Sequence, residues 1–211
     1  MLRDLLDSLR CPRPHAESWL VAMVHRADGP FLIEADLACP MCGAEFRIID
    51  GTAHFDVPAP GQPDDALDAT RTAALLGLTE GFLPVLLTGS YAGTGGALAD
   101  LVPIAQVWLN PPAGVASPAA PCSTLAVRER LPLGVETLAA AAVDPAHTTP
   151  DMLASIVRAV RVGGRVLAPA GTPMPAGLKE LARDTTEWVA EVTTRASGLV
   201  ELRRRAPDQV G

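Results

Sequence analysis

Leucine recurs at helical spacing at the start of the chain, at Leu2, Leu5, Leu6 and Leu9, which predicts a short amphipathic helix running into Cys11. Between residues 19 and 50 the pattern changes to short β-type runs: Trp19-Leu-Val-Ala-Met-Val24, Pro30-Phe-Leu-Ile33 and Phe46-Arg-Ile-Ile49. Ala27-Asp-Gly-Pro30 and Asp50-Gly51 punctuate them as turns. Residues 57–63 hold three prolines and a glycine, the composition of a linker. A domain boundary is therefore expected there, between a module at 1–56 and a second domain at 64–211.

The second domain alternates strands and helices. Asp64 or Asp65 is placed to cap a helix carrying Leu67, Ala69, Ala73 and Leu76. Pro84-Val-Leu-Leu-Thr88 is a continuous apolar run that ends in Gly89, as a strand buried on both faces should be. A helix-compatible stretch from Gly96 to Leu101 leads to a second such run, Ile104 to Leu109. The Pro- and Ala-rich segment 111–121 is expected as an irregular loop. Ser123 to Val127 is a third strand and Thr137 to Val143 a fourth, although its four consecutive alanines favour helix intrinsically. Apolar positions 153, 156, 157 and 160 form a helical face ended by Gly163-Gly164, after which Arg165-Val-Leu-Ala168 restarts as a strand. A helix over Leu178–Asp184 is expected next. Glu187–Thr193 and Leu199–Arg203 then predict a hairpin turning at Ala196-Ser-Gly198. The predicted fold class is α/β: a small β module, then a mostly parallel sheet with an antiparallel C-terminal hairpin.

Composition narrows the function. Apolar residues make up 48% of the 211 and charged ones 19%, ample for a packed core. Aromatics are only 4%, so that core is built from Ala, Val and Leu. A net charge of −7 opposes general nucleic-acid binding, which needs clustered cations to displace counterions. Arg203, Arg204 and Arg205 can form a local basic strip, but the reading favoured over it is the solvated end of a final strand. No run approaches the roughly 20 apolar residues of a membrane helix, and the N-terminus lacks a signal peptide's apolar stretch. A cytoplasmic protein is expected.

Two of the four cysteines stand as Cys39-Pro-Met-Cys42-Gly43. In a reducing compartment this spacing favours metal over a structural disulfide. A tetrahedral structural zinc takes four N or S ligands, usually as two close pairs. Cys11-Pro-Arg-Pro14 opens like the second pair, but Pro14 stands where a cysteine is expected; His15, one residue on, can complete a Cys11, His15, Cys39, Cys42 set. His25 and His54 are weaker candidates, and a ribbon without metal is the alternative. A thioredoxin-type role fits poorly, since Cys42 is followed by glycine and a strand rather than by a helix.

Leu5-Leu-Asp-Ser-Leu-Arg-Cys11-Pro12, Leu37-Ala-Cys39-Pro-Met-Cys42-Gly43 and Phe46-Arg-Ile-Ile-Asp50-Gly51 resemble the small zinc-ribbon activator subunits of tRNA and rRNA methyltransferases. They also resemble the same ribbon fused ahead of some bacterial methyltransferases. The likeness covers about the first 56 residues and departs from the family at Pro14. It implies a ribbon that stabilises a methyltransferase by covering its apolar edge, and so a protein partner met through the ribbon or a sheet edge.

The second candidate site is Val85-Leu-Leu-Thr-Gly89-Ser-Tyr-Ala-Gly93-Thr-Gly95-Gly96. A strand that ends in glycines before a helix brings bare amides close to a ligand. With Val162-Gly-Gly-Arg-Val-Leu-Ala168 and Trp188, this order resembles the class I S-adenosylmethionine methyltransferases, which are Rossmann-like. The resemblance extends over most of residues 64–205 and implies S-adenosylmethionine held by Gly89, Ser90, Tyr91, Gly93, Gly95 and Asn110. Three departures stand out: Leu87 where the family has a carboxylate, Asn110 where it has the ribose-binding acid, and a lengthened loop whose Tyr91 can fill cofactor space. Asp144-Pro-Ala-His147 follows the fourth strand, as a general base or substrate clamp or simply as a turn and a loop histidine. Cys122 is read as a small residue at a strand start. Two functions remain open: an S-adenosylmethionine-dependent methyltransferase, or a pseudo-methyltransferase serving as a scaffold or partner-stabilising subunit.

Overall fold

A computed structural model of the chain describes residues 1–64, 66–115 and 121–194. Its strands are β1 (Val21–Asp28), β2 (Phe31–Ala38), β3 (Glu45–Ile49), β4 (Thr52–His54), β5 (Val85–Thr88), β6 (Gln106–Leu109), β7 (Cys122–Ala126), β8 (Ala140–Ala142), β9 (Arg165–Pro169), β10 (Leu178–Arg183) and β11 (Glu187–Val192). Its α-helices are α1 (Ala69–Leu76), α2 (Gly95–Leu101) and α3 (Pro150–Ala159). The strands form one sheet in the order β1-β2-β3-β4-β7-β6-β5-β8-β9-β11-β10.

The first four strands form an antiparallel meander. From β4 to β9 every pairing is parallel, beginning with Thr52 opposite Thr124. The end of the sheet is antiparallel again, with β11 between β9 and β10. The fold is therefore α/β, with a small β module whose sheet continues into a largely parallel one.

Side-chain alternation along β5 shows how the sheet is covered. Leu86 points to the face shared by α3 residues Met152 and Ile156 and by Leu37, Phe46 and Phe55 of the N-terminal β module. Val85 and Leu87 point to the opposite face, where Leu76 of α1 and Leu98 of α2 pack with Trp108. The N-terminal β module and the α/β part thus share one core, within which the Phe46 and Phe55 rings lie 5.0 Å apart. The all-alanine β8 is buried on both faces despite its helix propensity. Its small side chains leave room for α1, which packs on β8 and β9.

Several elements differ from expectation. The N-terminal helix is a 3-10 helix, Arg3–Ser8. Asp68 caps α1, accepting from the Thr70 amide at 2.8 Å, while Asp64 closes a turn by accepting from the Ala66 amide. Residues 178–183 form strand β10 rather than a helix. Lys179, Glu180 and Ala182 are good helix formers, but pairing with β11 decides, because a helix here would have no continuous apolar face to bury, whereas the free edge of β11 offers a ladder of backbone partners. The hairpin consequently turns at 184–186, between β10 and β11. The turn expected at Ala196–Gly198, the strand at Leu199–Arg203 and the basic strip Arg203–Arg205 lie outside the described residues. No described helix is long and apolar enough to cross a membrane.

Candidate functional site

The four metal-ligating candidates come together. Cys39 leaves β2, and Gly43, at φ +69°, curls the chain so that its N–H donates to the Cys39 carbonyl at 2.9 Å. Cys11 is carried there by the loop after the 3-10 helix, with its N–H bonded to the Ser18 carbonyl at 3.0 Å. One ligand atom each from Cys11, His15, Cys39 and Cys42 lies within 4.8 Å of all the others. The Cys11 and Cys42 sulfurs are 3.8 Å apart, and Cys39 Sγ is 3.4 Å from His15 Nε2. A tetrahedron with Zn–S near 2.3 Å and Zn–N near 2.0–2.1 Å has S···S edges of about 3.8 Å and S···N edges of about 3.5 Å. The donor set fits a zinc ion.

Around the donors the local chemistry agrees. His15 Nδ1 lies 2.6 Å from the Ala16 carbonyl. That places the proton on Nδ1 and aims the Nε2 lone pair at the sulfurs, the outer-shell arrangement of a ligating histidine. Burial opposes ionisation of Cys39, but the Cys42 and Met41 amides directed at its sulfur outweigh it and lower its pKa to about 6. Burial holds the Cys11 thiol up at about 12. His25 pairs instead with Asp36 at 2.8 Å, and neither it nor His54 joins the cluster.

The second site lies where ligands bind in open α/β sheets, outside the carboxyl ends of the strands at the point where strand order reverses. Here that point falls between β5 and β8, flanked by Gly89 and Asp144. Asp144 is 4% exposed and points back across β5. Its Oδ1 accepts from Thr88 Oγ1 at 3.2 Å and its Oδ2 from the Ser90 amide at 3.3 Å, while its own N–H donates to Thr88 Oγ1 at 2.8 Å. His147 Nδ1 bonds the same carboxylate, and His147 Nε2 lies 2.7 Å from Asn110 Nδ2. Burial works against the charge on Asp144, but the His147 bond, the Ser90 amide and the Thr88 hydroxyl together hold its pKa below the ordinary value of 3.8.

The glycine loop serves this network. Gly89 is at φ +46°, and a Cβ there would collide with the Asp144 carboxylate. Asn110, at the end of β6, is equally engaged: Nδ2 donates to the Val127 carbonyl at 2.6 Å and Oδ1 accepts from the Val127 amide at 2.9 Å. Its amide therefore joins β6 to β7. Tyr91 is buried on the α1 side, where it lines a cavity of about 300 Å³ and its hydroxyl donates to Glu187 Oε2 at 3.3 Å. Burial, with Glu187 next, raises its pKa. Gly93 is exposed with open space at its Cβ position, and Gly95 is bare because Trp108 and Gln106 pack against it.

Residues 57–63, expected as a linker, form a strap across the same strand ends. Arg128 holds its start, bonding the Asp56 carboxylate and the Val57 carbonyl at 3.3 and 3.1 Å. The Gly61 N–H donates to the Asn110 carbonyl at 3.0 Å. A Cβ on Gly61 would lie 2.7 Å from that oxygen and 2.8 Å from Gly89 Cα. Between strap and sheet remains a cavity of about 610 Å³, lined by Ser90, Asn110, Val127, Asp144, His147 and strap prolines.

No protein-family model and no curated protein matches the sequence. Solved structures do. The complex between the Haloferax volcanii Trm112 methyltransferase activator and a protein described as a methyltransferase matches at 14% identity and TM-score 0.45, over 60% of this chain and 90% of that one. The antibiotic-resistance methyltransferase Kmr matches at 15% identity and TM-score 0.38, over 64% and 98%. The T. thermophilus 16S rRNA methyltransferase RsmC matches at 16% and 0.34, over 79% of this chain but 46% of its own length.

Sequence reading passed over Gly61, Thr88 and Val127. Gly61 alone had a usable signal, a glycine among prolines, and composition pointed there to a spacer. Thr88 and Val127 look like ordinary strand-end residues, and only the fold brings them to Asp144 and Asn110.

Proposed function

We propose that the chain is a methyltransferase-like, non-catalytic protein whose N-terminal ribbon holds a zinc ion and whose cofactor crevice is closed by its own residues. One observation carries this reading. The groups that would meet a nucleotide cofactor at the switch point are spent on one another, with Asp144 seated over Gly89 and Gly61 sealed against both Gly89 and Asn110. A bare glycine loop normally offers its amides to a ligand; here the Ser90 amide is taken by Asp144. In the ribbon, zinc supplies a structural cross-link between the Cys11–His15 loop and the Cys39–Cys42 turn. The continuous sheet from β4 to β7 supports a stabilising role for the module, and a scaffold or partner-stabilising subunit follows.

A second reading, an S-adenosylmethionine-dependent methyltransferase, is favoured by the cavity of about 610 Å³ that the strap leaves over His147 and Asp144. That volume lies within the range of small-molecule sites. Calorimetric titration of the zinc-loaded protein with S-adenosylmethionine separates the two. The closed crevice predicts no saturable heat up to high micromolar cofactor. A saturable isotherm removed by Asn110→Ala would replace the scaffold reading with the enzyme.

A further inference from the structure

A second polar pocket, of about 290 Å³, lies between the loop Cys11–Glu17 and helix α3, away from the strand-end crevice. Four arginines line it, Arg10, Arg13, Arg130 and Arg158, against two acidic residues, Glu17 and Asp151. In a chain of net charge −7 this is a local reversal of sign. A zinc ion with three thiolates and one imidazole carries a single negative charge, so the wall stays cationic when the adjoining ribbon is loaded.

Two of the arginines are fixed in place. Glu17 is held between Arg10, at 2.9 Å, and Arg158. Arg10 also donates to the Asp7 and Leu9 carbonyls at 2.9 Å and lies 4.6 Å from the Trp19 ring centre, and Arg158 donates to the Leu133 carbonyl at 2.9 Å. The other two, Arg13 and Arg130, bond through their guanidinium groups to no other described residue. Arg13 and Arg130 are exposed and border one concavity, beside a pair fixed in place; two planar donor forks free to turn toward it suit a tetrahedral oxyanion that can accept from both.

We propose that this pocket binds the phosphoryl group of a small phosphorylated ligand. Its volume of about 290 Å³ admits a phosphoryl head and a small organic remainder. The acidic remainder of the surface opposes a polynucleotide, which would have to lie across it. The proposal does not depend on the state of the crevice.

Thermal unfolding of the zinc-loaded protein with pyrophosphate, with AMP and with a single-stranded RNA 20-mer tests it. Pyrophosphate and AMP are expected to raise Tm in a saturable way that weakens with added salt. Arg130→Ala, remote from the ribbon in sequence, is expected to weaken the apparent affinity at least about tenfold, with zinc content unchanged. Arg13→Ala should do the same, and Glu17→Gln should strengthen binding. No saturable shift, or one that survives both arginine substitutions, overturns the proposal. RNA binding tighter than either small ligand would overturn its assignment to a small molecule.

Discussion

The Asp144 carboxylate lies directly over Gly89, in space that a side chain at position 89 would need. Gly89 is also at φ +46°, a region that costs a residue with a Cβ about 1–2 kcal/mol before any collision. Gly89→Ala should therefore lower unfolding stability by at least about 2 kcal/mol in urea or guanidinium melts. In a loop kept bare for a cofactor, alanine would cost little more than the backbone term. Gly93→Ala, with open space around it, is the control and should change stability by less than about 0.5 kcal/mol.

Asp144 also sets an acid dependence. Its pKa is depressed in the fold, chiefly by His147 and the Ser90 amide working against burial. A depressed carboxylate contributes stability that is fully present above its unfolded value and is lost as pH falls through the lower, folded value. The window therefore starts near pH 4 and extends downward. Asp36 and Asp184 are lowered too, so the total acid slope does not isolate Asp144. The difference between wild type and Asp144→Asn does: it should shrink steadily as pH drops below about 4. A difference constant from pH 6 to pH 3 would place the Asp144 charge outside the stabilising network.

The ribbon cluster was legible at the level of spacing, because two local loops with Cys-x-x-x-His and Cys-x-x-Cys patterns need only fold toward each other. Strand β5 was equally legible, since burial on both faces writes an unbroken apolar run. What escaped were features fixed by distant partners. Leu178–Arg183 carries helix formers, and its strand state comes from β11. Residues 57–63 have a linker's composition, yet Gly61 is where backbone meets backbone at Asn110 and Gly89. Asp144 could be paired from the sequence with His147 alone, because its other partners, Thr88 and Ser90, are more than fifty positions away.

The metal reading makes a quantitative demand. Purified protein should carry one zinc per chain, and His15→Ala should reduce both zinc content and thermal stability. Chelation should lower Tm in wild type, since metal that binds only the folded ribbon adds its binding free energy to folding. Unchanged zinc content in His15→Ala would remove His15 from the ligand set. Because Phe46 and Phe55 belong to the core shared with Leu86 and Ile156, loss of metal should also loosen the adjoining parallel sheet. Amide exchange in β7 would report that.

Gln106 offers a test of the buried polar chemistry under α2. Its amide donates to the Gly95 carbonyl and accepts from Trp108 Nε1, both at 2.8 Å, in a fully buried setting. Gln106→Leu keeps the volume but strands one acceptor and one donor, each costing about 1–3 kcal/mol. A loss of about 2–5 kcal/mol is expected, measured by denaturant unfolding. A near-neutral result would mean that water replaces the amide there.

The strap gives the sharpest local prediction. A Cβ at Gly61 would sit 2.7 Å from the Asn110 carbonyl and 2.8 Å from Gly89 Cα, and both are backbone atoms that cannot swing aside as a side chain would. Gly61→Val should therefore lift the strap instead of compressing it, breaking the Gly61–Asn110 bond. Because α1 and the sheet keep their own contacts, the global cost should stay near 1–2 kcal/mol. Limited proteolysis should then cut within 57–63 many times faster than in wild type, since cleavage follows the population of the open segment. If the strap merely lay against the sheet, Gly61→Val would leave the cleavage rate unchanged. The same variant also reports on the crevice. Should S-adenosylmethionine bind Gly61→Val but not wild type, the strap alone keeps the cofactor out; should neither bind, Asp144 and the engaged Asn110 suffice to close the site.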